Sequence, residues 1–206
     1  MKKILHTFIL MCCVLILTGC NNYSKSEVEK EIQDFFGNTF SIETINFKQT
    51  KKGYILEMKA DDTIFYVESE YCGNWGGGFG ETLISTSILD SFYQKHKFKI
   101  EQIANNNGLN IEFKEPNDAG TFPHTSLIMK ANKNQLENVE KAMESIINIS
   151  DINKLYNLLY GDGTYTMSEK MLIKDNSKII IYDGEQEIES FEIFWSKYTN
   201  DINELK

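Results

Sequence analysis

The stretch YILEMKADDTIFYVESEY, residues 54–71, decides the fold. On both sides of the two aspartates, apolar and polar residues alternate, which is the pattern of a strand with one buried and one wet face. The alternating apolar positions are Tyr54, Leu56, Met58, Phe65, Val67 and Tyr71. Since Asp61 and Asp62 supply turn chemistry, the sequence predicts two antiparallel strands, 54–60 and 63–71, joined by a tight turn.

The pattern extends towards the N-terminus. Residues 40–49 predict a third strand, which the turn sequence KKG at 51–53 joins to the first. Before it, Ser24 and Glu27 have the spacing of a capping box. Apolar residues then recur on one helical face, at Val28, Ile32, Phe35 and Phe36. A short amphipathic helix followed by a meander of three antiparallel strands is therefore predicted.

Beyond the meander, helices and strands are mixed. A long helix is predicted over about 81–107, and Gly108 ends it as a C-terminal cap. Strands are predicted at 109–115 and 125–131, followed by helices at 136–147 and 151–161. A hairpin of 165–174 with 178–182 and a final helix near 190–205 complete the prediction.

Strands interrupted by helices without regular alternation favour an α+β fold. We expect a mainly antiparallel sheet with helices packed on one face, in a single domain. The expected divisions are a signal peptide at 1–19, a lipidated tether at 20–25 and one extracytoplasmic α+β domain at 26–206.

The N-terminus has the features of an export signal. Lys2 and Lys3 precede an apolar run at 4–17, which is shorter than a membrane-spanning helix requires. Leu17, Thr18, Gly19 and Cys20 then follow, and this box resembles the lipobox of bacterial lipoproteins. The resemblance implies that Cys20 receives a diacylglycerol and that cleavage occurs before it. We therefore expect a protein held at the extracytoplasmic face of the cell membrane by lipid on Cys20.

Composition narrows the classes of partner. The chain has a net charge of −9, and removal of the signal leaves 19 lysines against 30 acids, a net charge of −11. An acidic surface repels nucleic acid, so no nucleic-acid partner is expected. All the basic residues are lysine, a bias typical of AT-rich genomes, which together with the lipobox indicates a Gram-positive bacterium. Because Cys12 and Cys13 leave with the signal and Cys20 carries lipid, Cys72 is the single free thiol.

Cys72 and His124 form the candidate catalytic pair. A thiolate can attack a carbonyl carbon while a histidine takes its proton. Cys72 precedes Gly73 and Trp75, a neighbourhood similar to that of papain-like peptidases. His124 follows 52 residues later, before the strand-like TSLIMK, and this order is similar to that of small cell-wall peptidases. Those enzymes place the cysteine at the first turn of a helix, whereas residues 73–81 separate Cys72 from the predicted helix. A structural thiol and a loop histidine are therefore favoured over catalysis.

The stretch GNWGGGFGET, 73–82, admits three interpretations. Glycine backbone could cradle a phosphate, but the Lys and Ser/Thr of a phosphate-binding loop do not follow. Glycines can instead allow a wide turn that presents Trp75 and Phe79, either to the core or to a partner. We expect a bend first, a contact surface formed by Trp75 and Phe79 second, and chemistry third.

Two further groups of residues are candidate sites. His96 falls at helical spacing with apolar residues, which indicates a histidine at the rim of a packed face. The acids Glu185, Glu187, Glu189 and Glu192 lack the spacing of a calcium loop and indicate a solvated face. No metal or cofactor is expected.

Two functions follow from these features. The first is a lipid-anchored domain that binds a protein partner without catalysis, such as an immunity or inhibitor lipoprotein against a toxin, a bacteriocin or a wall enzyme. The alternative is a cysteine hydrolase of cell-wall peptides that uses Cys72 and His124. Binding without catalysis is favoured, because no complete catalytic set accompanies the thiol.

Overall fold

The computed structural model of the chain describes residues 23–72, 81–114, 126–161, 171–173 and 177–192. Five α-helices occur in these ranges: α1 (Lys25–Phe36), α2 (Ile88–Lys95), α3 (Lys97–Asn106), α4 (Leu136–Ile147) and α5 (Ser150–Tyr160). A short 3-10 helix, Lys133–Gln135, leads directly into α4. The predicted signal peptide and Cys20 lie outside the described residues.

In the same described ranges, nine strands form two sheets. Sheet A has the order β1-β2-β3-β4-β7 and comprises β1 (Ile42–Gln49), β2 (Gly53–Ala60), β3 (Thr63–Cys72), β4 (Glu81–Thr86) and β7 (Met171–Ile173). Sheet B has the order β5-β6-β8-β9 and comprises β5 (Asn110–Lys114), β6 (Ser126–Asn132), β8 (Lys178–Asp183) and β9 (Gln186–Glu192). All neighbouring pairs are antiparallel except β4–β7 and β6–β8. The predicted α+β class with mainly antiparallel strands is confirmed, with the strands divided between two sheets.

The meander forms as predicted. β2 pairs with β3 from Gly53↔Glu70 to Ala60↔Thr63, and β1 pairs with β2 with a bulge between Thr44 and Asn46. The turn between β2 and β3 places Asp61 at φ 53°, a left-handed conformation that aspartate tolerates better than most residues. The predicted turn chemistry at the two aspartates is therefore confirmed.

Helix α1 begins as its capping box predicts. The Glu27 side chain accepts a hydrogen bond from the Ser24 backbone N–H at 2.6 Å, and the Ser24 hydroxyl accepts one from the Glu27 backbone N–H. The apolar stripe of the helix is buried, and its Phe36 ring meets Phe65 of β3 edge-on, with centroids 6.5 Å apart. Burial of this stripe holds α1 against sheet A.

One hydrophobic core joins both sheets. It contains fully buried residues of β3, α2 and β6, such as Phe65, Leu89 and Met129. Helix α2 contacts β3 of sheet A and β6 of sheet B, so it packs against both sheets. The Phe92 ring on α2 packs against Phe40, with centroids 5.4 Å apart.

Three predictions of secondary structure are wrong. The predicted long helix begins instead with strand β4, and it is broken at His96 into α2 and α3. The predicted hairpin does not form, because β7 pairs with β4 in sheet A whereas β8 pairs with β6 and β9 in sheet B. Residues 190–192 belong to β9 rather than to a final helix, and 193–206 lie outside the described residues.

Candidate functional site

One face of sheet A is exposed. Along β3, Phe65 and Val67 are fully buried, whereas Ile64 between Thr63 and Phe65 is 48% exposed. The same alternation holds in β4, where Ile84 is buried and Leu83 is 44% exposed. Since successive strand residues point to opposite faces, helices α1 and α2 cover one face of sheet A and leave the other in solvent.

The strand register shows which exposed residues are neighbours. Tyr66 stands opposite Glu57 and one step diagonally from Ile55, with Ile64 two residues away along β3. Leu83 of β4 lies diagonally from Leu172 of β7, because Leu172 stands opposite Ser85. Diagonal neighbours in a sheet lie within reach of large side chains. We name this surface the open face: Ile55, Glu57, Ile64, Tyr66, Glu68, Leu83 and Leu172.

A shallow hollow adjoins the open face. It has a volume of about 160 Å³ beside the bulge of β1, and its lining residues are Asn46, Phe47, Lys48, Ile55, Glu57 and Tyr66. Its apolar floor is bordered by one carboxylate and one ammonium group. The hollow and the open face together offer apolar contact area with charges at its margins, which is the composition of a protein-binding surface.

Charged side chains meet at the opposite end of β3 from Cys72. Lys95, at the C-terminus of α2, donates hydrogen bonds to Asp62 and, at 2.6 Å, to Asp151. His96 Nε2 lies 3.0 Å from the same Asp151 oxygen. We name this group, together with Asp61 and Lys154, the charge cluster. It ties the β2–β3 turn, the α2–α3 junction and the N-terminus of α5 together.

The charge cluster shifts the pKa values of its members. Partial burial raises the pKa of Asp151, but hydrogen bonds from Lys95 and His96 outweigh burial, so the pKa lies below its ordinary value. Hydrogen bonds from Lys154 and Lys95 lower the pKa values of Asp61 and Asp62, respectively. The cluster therefore stabilises ionised carboxylates, which suits a structural clamp.

His96 is not a partner for Cys72. Cys72 is the last residue of β3 and pairs with Glu81. At about 3.3 Å per residue, β3 separates it from the charge cluster at the Asp62 end by roughly 30 Å. This distance is far beyond hydrogen-bond reach, so His96 serves the charge cluster at the edge of the core, as its spacing predicted. His124 lies outside the described residues.

The other predicted site residues are distributed as follows. Trp75 and Phe79 lie outside the described residues, as do Gly73 to Gly80. Glu185 lies in the turn before β9, and Glu187 and Glu189 project from β9, all exposed. Across the described ranges, no three His, Cys, Asp or Glu side chains gather as a metal-binding group.

The sequence contains a signal for the open face, but the alternation pattern predicts only part of that face. Alternation in β3 predicted a wet sheet face, yet the exposure of Ile64 on that face was not singled out. Leu83 was missed because residues 81–86 were assigned to a helix, although Thr82, Ile84 and Thr86 recur at the spacing of a strand.

Comparison of the chain with family models, with curated proteins and with solved structures finds no match. Among the described helices, none is long and apolar enough to cross a membrane.

Proposed function

We propose that the chain is a lipid-anchored extracytoplasmic domain that binds a protein partner without catalysis. The observation that carries the proposal is the open face, where Ile64, Leu83 and Leu172 are 48%, 44% and 41% exposed on a sheet whose other face is packed in the core along β2, β3 and β4. Large aliphatic side chains on a rigid, solvent-exposed sheet are a ready contact surface.

The charge of the chain favours a basic partner. Two carboxylates, Glu57 and Glu68, and one ammonium group, that of Lys59 opposite Ile64, stand among the apolar residues of the open face, and the chain as a whole carries a net charge of −9. Opposite charge on a partner would accelerate its approach and align it on the face. A basic toxin, bacteriocin or wall enzyme has this chemistry, so we propose an immunity or inhibitor role.

The lipid on Cys20 supplies the location. Two acyl chains contribute about 0.8 kcal/mol for each buried methylene, which is sufficient for stable anchoring without a protein span. An anchored domain meets its partner at the membrane surface, where a toxin or wall enzyme acts. The anchor and the open face therefore serve one purpose in this proposal.

Site-specific photo-crosslinking in intact cells tests the proposal. A photoreactive residue replaces Ile64 or Leu83 on the open face and, as a matched control, Ile188 on β9, which is 36% exposed. We expect an adduct of one defined mass from positions 64 and 83 and none of that mass from position 188. We also expect Glu57→Lys to lower the adduct yield, because the partner is basic. Failure to form an adduct at 64 and 83, or the same adduct from all three positions, would contradict the proposal.

A further inference from the structure

A second concave surface lies on sheet B, away from the open face. It is a hollow of about 530 Å³ at the carboxyl ends of β6 and β8, and its lining residues are Asn132, Lys133, Asn134, Tyr182, Asp183 and Gly184. Ligand pockets commonly have volumes of about 300 to 1,000 Å³. The hollow is therefore large enough for one or two small ring systems. It is open to solvent, since Tyr182 is half-buried and the other five lining residues are exposed.

The topology of sheet B explains why the hollow exists. β6 and β8 are adjacent parallel strands, and Asn132 stands opposite Tyr182 at their carboxyl ends. The chain after β6 enters the 3-10 helix and α4, whereas the chain after β8 turns at Gly184, with φ 64°, into β9. Because the two neighbouring chains leave the sheet in different directions, they leave a crevice between them at this edge.

The side chains around the hollow have a mixed hydrogen-bonding chemistry. Lys133 is a donor, Asp183 an acceptor, and the Asn134 amide and the Tyr182 hydroxyl can act as both. Within the described part of the chain, none of these four side chains hydrogen-bonds or forms an ion pair with another residue. Asn132 is different, since its side chain and backbone cap the 3-10 helix through Gln135.

The charges of the hollow narrow the ligand class. Among the described lining residues, the charges of one lysine and one aspartate cancel, so this part of the lining favours neither a free anion nor a cation. A ligand with many hydroxyl groups matches this lining, because each hydroxyl can donate to Asp183 and accept from Lys133. The half-buried Tyr182 ring adds an apolar surface for the C–H face of a sugar ring.

We propose that this hollow binds an uncharged saccharide unit. The site is independent of the proposed function, because it lies on sheet B and uses no residue of the open face.

Titration calorimetry with the full-length protein in detergent micelles tests the inference. The probe is the disaccharide of N-acetylglucosamine, and glycine and inorganic phosphate are tested in parallel. The variants are Tyr182→Ala and Asp183→Asn, and Asp34→Asn on the exposed side of α1 is the matched control. Circular dichroism verifies that each variant is folded.

We expect the disaccharide to bind and its Kd to rise at least about tenfold in Asp183→Asn and in folded Tyr182→Ala, a loss on the order of one hydrogen bond or one ring contact. Asp34→Asn should match the wild type. The inference is overturned if the disaccharide does not bind, if glycine or phosphate binds in its place, or if Asp183→Asn leaves the Kd unchanged. None of these outcomes bears on the crosslinking pattern of the open face.

Discussion

The Lys154 ammonium on α5 donates a hydrogen bond of 2.8 Å to the carboxylate of Asp61, a residue in the left-handed turn between β2 and β3. The second oxygen of Asp61 accepts a hydrogen bond from the Ser41 backbone N–H at 2.9 Å. Through one side chain, the turn of the central hairpin is joined both to the start of β1 and to a helix that follows much later in the chain.

Substitution of Asp61 should separate the charge from the backbone conformation. Asparagine tolerates the left-handed conformation and can still accept from Ser41, so Asp61→Asn should cost less than about 1 kcal/mol, as exposed ion pairs do. Asp61→Ala loses both hydrogen bonds and is strained at positive φ, so we expect a loss of about 1 to 3 kcal/mol. Urea unfolding measures both values. Equal losses in the two variants would show that neither the Ser41 hydrogen bond nor the left-handed conformation of Asp61 contributes to stability.

Acid should weaken the fold through the charge cluster. The pKa values of Asp61, Asp62 and Asp151 are lower in the folded chain than the ordinary value of 3.8. Their ionised forms therefore contribute stability above pH 3.8, and this contribution is lost as the pH falls through the folded-state values. Thermal unfolding followed from pH 6 down to pH 2 should show this loss. Asp151→Asn should make the dependence on pH shallower, and an unchanged dependence would contradict the role of the cluster.

Alkali should also weaken the charge cluster, through loss of the positive charge on Lys95. Burial lowers the pKa of Lys95, but hydrogen bonds to Asp151 and Asp62 outweigh it and raise the pKa above its ordinary value of 10.5. The contribution of Lys95 is thus complete below pH 10.5 and is lost as the pH rises through the folded-state value. Between pH 9 and pH 12, the Tm should therefore fall more steeply with pH for the wild type than for Lys95→Met. Parallel plots of Tm against pH for the two proteins would contradict a role for Lys95 in alkaline stability.

Adjacent residues of β3 should differ sharply in their effect on stability. Phe65 is fully buried, and Phe65→Ala should cost about 3 to 5 kcal/mol because it leaves a cavity in the core. Ile64 is 48% exposed on the open face, so Ile64→Ala should change the free energy of unfolding by about 0.5 kcal/mol or less. Chemical denaturation of the two variants measures the contrast. A large cost for Ile64→Ala would mean that its side chain is packed and is not available to a partner.

Changes at two cysteines test the anchor and the alternative function. We expect Cys20→Ala to leave the protein unprocessed or to release it into the medium, which fractionation and mass spectrometry detect. We expect Cys72→Ser to preserve biological activity, because a strand end tolerates a small polar residue. Loss of activity in Cys72→Ser, with stability and partner crosslinking intact, would instead favour the cysteine hydrolase that uses His124.

Local patterns in the sequence predicted the elements that depend on local interactions. The capping box at Ser24 and the alternation around Asp61 each contain their own start and stop signals, and α1, β2 and β3 follow them. The prediction for residues 81–86 is wrong because they directly precede an apolar helical run, and the helical pattern extends over their strand pattern. The broken helix reflects tertiary contact, since His96 turns at the α2–α3 junction to meet Asp151.

The rest required knowledge of distant partners. No local pattern in residues 171–183 predicts that β7 joins sheet A and β8 joins sheet B, because both are short apolar runs that could pair with each other. The open face had a similar dependence. Its apolar residues come from four strands, and only the register brings Ile55 and Tyr66, or Leu83 and Leu172, together.

The parallel pairing of β4 with β7 also sets the order in which the fold can be completed as the chain is synthesised. Ile84 pairs with Met171, and Ile128 pairs with Lys178. Strands β4 and β6 therefore each keep an unpaired edge until these later residues have been synthesised. Pairing across such sequence separations is slow, and an unpaired edge invites association with other chains. A chain that stops before residue 171 would therefore have its meander formed but one edge of β4 unpaired and open to association with other chains.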